Sequence, residues 1–218
     1  MPNDVRLLYP RQLSTRAQLL KLTKEKIVDE AIALLHERGL KQVTLRNLAD
    51  RVDMKAPSLF WYIKNKDELL CLIDETIFRQ CVESIPTCGT WQEWMHAYGI
   101  SIWEAQSKAP DIPNLITQVN LSDQTRETLF ELIRDKLSVF ELDIKTAMKI
   151  QASVQALITG WTVLTNARHA ERRLKKEFSP NKEDVSSAMD VLISGWETKI
   201  QHHQAPLGSQ SKPIKQLA

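Results

Sequence analysis

Cysteine is scarce in this chain. The three present, Cys71, Cys81 and Cys88, are an odd number with no metal-ligand spacing and no Cys-x-x-Cys pair. That excludes a disulfide framework and a thiolate zinc site. It reads as reduced thiols in a cytoplasmic protein, with redox sensing by Cys81 or Cys88 as the alternative. Long apolar runs are missing as well. No stretch approaches the roughly 20 apolar residues of a membrane span, so no membrane is expected as a partner. The N-terminus has neither an apolar core of secretory length nor a small-residue cleavage site. Glycine is sparse, six in all, and builds neither a phosphate loop nor a G-x-S-x-G elbow. The five histidines are scattered, and the His202-His203 pair reads as a helix end before it reads as a metal site. No enzyme, no cofactor and no metal is expected.

What the chain does carry is helical periodicity, densest from Lys24 to Leu70 (KEKIVDEAIALLHERGLKQVTLRNLADRVDMKAPSLFWYIKNKDELL). Ile27, Ala31, Leu34 and Leu35 repeat at helical spacing, and Val28 and Ile32 widen the stripe. Thr23 is placed to cap this first helix and Gly39 to end it. A second helix, opened by Thr44, buries Leu45, Leu48, Ala49 and Val52. Asp53 takes the turn, where positive φ is common and Asp tolerates it better than most residues. Pro57 suits the first turn of a third helix. Leu59 and Ile63 then point inward, leaving Lys55, Ala56, Pro57, Ser58 and Tyr62 on the exposed front and flank. Two short helices across a tight turn, followed by a Lys64-Asn65-Lys66 junction into a long helix, are the plan of a helix-turn-helix DNA reader. At the base edges Ser58 offers a polar contact, Ala56 and Pro57 only apolar ones.

Charge agrees with that plan. Residues 1–66 hold thirteen Lys and Arg against seven Asp and Glu, a net of +6; the remaining 152 residues hold sixteen against twenty, a net of −4. A chain of net charge +2 thus separates a basic third from an acidic remainder, and a polyanion asks for the first kind of surface. The arm over residues 1–22 adds Arg6, Arg11, Arg16 and Lys21. Two readings of it stand: arginines entering a minor groove, or a tail whose RAQLLKL segment extends the first helix backward.

Three segments stand in the register of one known pattern. Thr44-Leu45-Arg46-Asn47-Leu48-Ala49 matches T-x-R-x-L-A on a second helix. Pro57-Ser58-Leu59-Phe60-Trp61-Tyr62-Ile63 matches an aromatic-rich third. Lys64-Asn65-Lys66, with Leu69 and Leu70, matches a fourth helix opened by lysine. Over the stretch from Lys24 to Leu70 that holds them, about a fifth of the chain, the sequence resembles the tetracycline-repressor family of bacterial transcriptional regulators. The resemblance implies an all-α fold: an N-terminal three-helix DNA-binding domain at 23–66 after the arm, then a C-terminal helical effector-binding and dimerisation domain at 67–205. A disordered tail is expected at 206–218. Carried over by position, it implies that Thr44 and Arg46 face the DNA backbone and a nearby base. Ala56, Pro57 and Ser58 would face the major groove, and Tyr62 and Lys66 phosphates; Lys55 stands with them as a DNA-binding residue. Phe60 stands where the family commonly has a tyrosine donating to phosphate, so that contact should be missing.

The rest reads as helix. A long fourth helix is expected from about Lys66 to Ser84 and a fifth from Trp91, with Thr90 as N-cap and Glu93 completing a capping box. Pro110 and Pro113 should bracket a turn, with a sixth helix over Asn114–Asn120. A seventh is expected over Asp123–Glu141, an eighth from Lys145 to about Arg173, then a charged connection, and a last helix over Lys182–His203. Gly160-Trp161 and Gly195-Trp196 echo each other. A mid-helix glycine costs about 1 kcal/mol against alanine, so close helix packing is implied, within one chain or between two. In the family the last two helices of each subunit form a four-helix dimer interface, and these segments match them in order and position. The resemblance also implies an effector pocket between the fourth and eighth helices. Trp94, Tyr98, Ile102, Trp103, Ile116, Val119, Gln155 and Thr159 are its candidates, for an apolar or amphipathic small molecule. An alignment anchored on TWQEW puts the drug- and magnesium-binding positions of tetracycline-responsive members on Val82, Tyr98 and Ile116, without the polar groups they need. The expected function is a homodimeric repressor released from a palindromic double-stranded DNA operator by its effector. An activator, or a co-activator acting through protein contacts, fits the same residues.

Overall fold

The computed structural model describes residues 22–109, 111–166 and 181–204. Every regular element among them is helical. Helix α1 spans Lys24–Arg38, and Thr23 accepts the Lys26 amide as its cap at 3.3 Å. It ends at Gly39, whose φ of 78° is open to glycine at no steric cost. A short 3₁₀ turn (Leu40–Gln42) leads to α2, Leu45–Arg51, where Thr44 accepts the Asn47 amide at 3.1 Å. Such caps contribute about 1 kcal/mol each. Asp53 makes the turn at φ 52°, in the left-handed region expected of it. Helix α3 is only Ala56–Leu59, with Pro57 in its first turn. Arg51 donates to Glu30 at 2.6 Å and to Glu37 at 2.7 and 2.8 Å, strapping α2 to α1.

Helix α4 runs Lys66–Glu83 under an Asn65 cap. It opens the body, followed by α5 (Trp91–Lys108), α6 (Ile112–Gln118), α7 (Asp123–Leu137), α8 (Ile144–Asn166) and α9 (Lys182–Gln204). Thr90 caps α5 as expected, but Glu93 reaches one residue further back, accepting the Gly89 amide at 2.8 Å. Two boundaries differ from expectation. Pro113 lies in the first turn of α6 instead of beyond a turn, because a proline there forfeits no hydrogen bond. Helix α7 stops at Leu137, since the next residues turn so that Asp143 can cap α8 by accepting the Thr146 amide at 2.9 Å. The arm before Leu22, the expected extension of α8 to Arg173, the charged connection through Pro180 and the tail lie outside the described residues.

The buried side chains form two clusters. One joins α1, α2, α3 and the start of α4 through Ile27, Ala31, Leu48, Leu59, Ile63 and Leu69, and it is completed from the body by Ala109, Ile112 and Leu115. The other fills the body with Trp94, Met95, Tyr98, Val154, Ile158 and Met189. Gly99 permits that packing: a Cβ there would overlap the Met189 sulfur and lie 2.9 Å from Val154 Cγ1.

Candidate functional site

The reading head presents the side chains that the sequence singles out. Arg46, Lys55, Ala56, Pro57 and Lys66 are exposed, while Thr44, Ser58 and Tyr62 are half-buried. Thr44 spends its oxygen as the α2 cap and Tyr62 packs against the head cluster. None of Arg46, Lys55 and Lys66 has an ion-pair partner among the described residues. Arg51 and Lys24 differ: the first is held by Glu30 and Glu37, and the second pairs with Glu68 at 2.8 Å. The basic residues of the head therefore divide into internal braces and uncommitted cations. Glu68 is a brace too. It also accepts the Lys64 amide at 2.7 Å, and its bond with Lys24 holds its carboxyl below the usual range. Two aromatics that the sequence reading left out of the site stand beside α3: Trp61 is 90% exposed and Phe60 52%. Large apolar side chains on a surface already rich in cations signal contact with something larger than water.

A cavity of about 210 Å³ opens between α4, α5, α6, α7 and α8. Its wall is mostly apolar: Ile77 and Phe78 from α4, Ile102 from α5, Ile112 and Ile116 from α6, and Leu129 from α7. Four polar side chains interrupt it, Asp74, Gln106, Gln151 and Gln155. Of the expected pocket residues, Ile102, Ile116 and Gln155 line this cavity. Trp94 and Tyr98 stack at 5.4 Å in the body core instead, where the largest side chains gain most from complete burial. Trp103 packs against the body cluster and Val119 against the head cluster. Thr159 stands one layer behind the wall, accepting from both Gln106 Nε2 and Gln155 Nε2 at 3.0 Å. The chain of bonds continues from Gln155: Tyr98 donates to Gln155 Oε1, and Gln151 Nε2 donates to the Tyr98 hydroxyl at 2.6 Å. Burial pushes the Tyr98 phenol up, which keeps it protonated.

Asp74, Gln106 and Gln151 are the polar wall residues that sequence reasoning missed. Burial, with Glu75 beside it, pushes the Asp74 carboxyl up to about 6. Gln106 is 1% exposed, and its Oε1 has no hydrogen-bond partner among the described residues. A signal was available. Asp74 falls in register with Leu70, Ile77 and Cys81, and Gln106 one turn beyond Ile102. Each is a polar residue on its helix's apolar stripe.

Head and cavity share a joint. Asp111, just before α6, accepts the Leu40 amide at 2.8 Å, and the same carboxylate oxygen lies 2.8 Å from where a Cβ on Gly39 would be. Within the next turn of α6, Ile112 and Ile116 form cavity wall while Leu115 enters the head cluster. On the far side of the body, Gly160 and Gly195 are exposed, and a Cβ on either would meet nothing within 4 Å. Trp161 and Trp196 are half-buried against the body. Leu164 and Val191 are exposed, at 52% and 73%. Among the described residues neither glycine serves packing within the chain.

Comparison with known proteins agrees with this geometry. The sequence pattern described as "Bacterial regulatory proteins, tetR family" matches residues 27–71. The tetracycline repressor protein class D of Escherichia coli is 29% identical over 121 residues, 55% of this chain and 54% of its own length. The chain thus spans about half the length of that relative. The tetracycline repressor protein class G of Vibrio anguillarum is 34% identical over 182 residues, covering 83% of this chain and 86% of that protein. Among solved structures, apo ActR from Streptomyces coelicolor superposes with a TM-score of 0.66 at 18% identity, over 84% of this chain and 98% of its own; that likeness speaks for the fold. With the class G likeness running through head and body alike, this chain belongs to the tetracycline-repressor family of bacterial regulatory proteins.

Proposed function

We propose that this protein is a ligand-responsive DNA-binding transcriptional regulator. It acts as a homodimeric repressor that leaves a palindromic operator when a small, apolar or amphipathic effector fills the body cavity. The observation that carries this reading is the joint at α6. One short helix supplies cavity wall through Ile112 and Ile116, head core through Leu115 and, just before it, a carboxylate that holds the Leu40 amide. A ligand that moves this helix must move the head. By linkage, the effector favours the non-binding arrangement by the same free energy that it removes from DNA affinity.

In this reading Arg46 and Lys66 anchor phosphates, Thr44 adds a backbone contact, and Lys55, Ala56, Pro57 and Ser58 enter the major groove with Tyr62 at its flank. Two heads spaced about 34–36 Å read the half-sites. The pairing surface is the face of α8 and α9 that carries Gly160, Trp161, Gly195 and Trp196, where open glycines and exposed Leu164 and Val191 favour a second copy. The test is a mobility shift of the purified dimer on palindromes from its own promoter region. Failure on every one would overturn the regulator reading. Tetracycline is not the proposed effector. Val82 is buried, the Tyr98 hydroxyl is committed to Gln151 and Gln155, and Ile116 brings no metal ligand. Calorimetry should show no tight magnesium-dependent uptake of the drug.

A further inference from the structure

We propose that the cavity takes a compact apolar cation: a hydrocarbon body bearing a protonated nitrogen, with Asp74 supplying the opposite charge and Gln106 Oε1 a hydrogen-bond acceptor. The inference rests on the effector reading above and names the chemistry of that ligand.

Two unfilled valences on one apolar wall carry it. Asp74 is half-buried on this wall and, among the described residues, has no ion pair and feels only the like charge of Glu75, which pairs with Arg79 at 3.0 Å. Among the described residues no Lys, Arg or His lines the cavity. Folded proteins seldom leave a buried carboxylate without a counter-charge, because desolvation penalises the ion. Gln106 is buried and stands at the end of the chain that runs from Gln151 through Tyr98 and Gln155 to Thr159. Its Nε2 donates to Thr159, and its Oε1 faces no donor.

Both defects have the same sign: one asks for positive charge, the other for an N–H or O–H. An anionic ligand would meet repulsion at Asp74 and offer Gln106 nothing. A neutral ketone or ether would satisfy neither. A protonated amine satisfies both, and the apolar remainder of the wall suits a hydrocarbon body. The volume of about 210 Å³ is below the roughly 300–1,000 Å³ of drug-sized pockets, which points to a small one.

Matched probes test this on the full-length dimer at neutral pH. Calorimetry compares 2-phenylethylamine and 4-phenylbutylamine with the alcohol and the carboxylic acid of the same bodies. The expected result is that an amine binds at least about tenfold tighter than its alcohol and the acid shows no uptake. In Asp74→Asn the amine should fall to the level of the alcohol, whose own affinity stays unchanged. Equal binding of the three heads, preference for the acid, no uptake of either amine, or an amine preference that survives in Asp74→Asn overturns the proposal. The wild-type selectivity needs no variant to fold. A parallel mobility shift separates this inference from the reading beneath it. An amine that binds selectively yet leaves the DNA complex intact defeats operator release and keeps the cation site. Release by a neutral compound, without selectivity for amines, does the opposite.

Discussion

Replacing Asp74 with Asn should make the unliganded protein more stable at neutral pH. The carboxyl ionises at 3.8 in an ordinary setting and at about 6 in the fold, with burial the main cause. Each pKa step corresponds to about 1.4 kcal/mol, so keeping this group ionised in the folded state at neutral pH costs about 3 kcal/mol. Asparagine keeps the shape and removes the charge. Its amide brings N–H groups to the same wall, and leaving those bare costs about 1–2 kcal/mol. The expected net gain is therefore about 1–2 kcal/mol. The sign with pH is definite. A carboxyl whose folded pKa is raised binds more protons in the native than in the unfolded state, so stability falls as pH rises through the interval from 3.8 to about 6 and is level above it. The titratable neighbours are Glu75, engaged by Arg79, and Cys71 and Cys81, whose thiols burial pushes up and out of this interval. Urea unfolding at one fixed protomer concentration, between about pH 4 and pH 8, gives the measurement for both proteins. The advantage of the variant should be absent at the acid end and full-sized at neutrality. A difference that does not change with pH, or a variant less stable at neutrality, would mean that the buried charge of Asp74 carries no such cost.

Arg46→Ala and Lys66→Ala should each weaken operator binding across all sequences and lower the salt slope by about 1; fluorescence anisotropy at several salt concentrations reads both effects, and a change in sequence preference would count against backbone roles. Asp111→Ala should cost about 1–2 kcal/mol by leaving the half-buried Leu40 amide without its acceptor, and the concentration of effector needed to release DNA should rise; an unaltered ligand response would mean that the signal does not pass through α6. Gly195→Leu should leave the protomer helical, since the site is open within the chain, but raise the dimer dissociation constant by at least about tenfold in sedimentation; an unchanged dimer would put the interface elsewhere.

The head was legible in the sequence because its determinants are local. The caps at Thr23 and Thr44 act on amides three residues away, and the Asp53 turn and Pro57 act on their own backbone. The cavity was not legible in the same way. Asp74, Gln106, Gln151 and Gln155 come from three helices, and only tertiary packing brings them to one wall. The expected pocket favoured Trp94, Tyr98 and Trp103 because they are large and apolar, yet that property drives residues into the densest core. A polar residue breaking an apolar stripe would have been the better guide. The Asp111 carboxylate was unreadable too, since its partner Leu40 lies 71 residues away.

The three residues that the body lends to the head core, Ala109, Ile112 and Leu115, have a consequence for modularity. A chain cut after Lys66 would strip the head cluster of these three and of Leu69, Leu70 and Ile73, so the head is not a transplantable cassette. An exchange of DNA specificity with a relative has to carry the 109–115 stretch along or match it residue for residue, and changes on either side of that seam are bound to co-evolve.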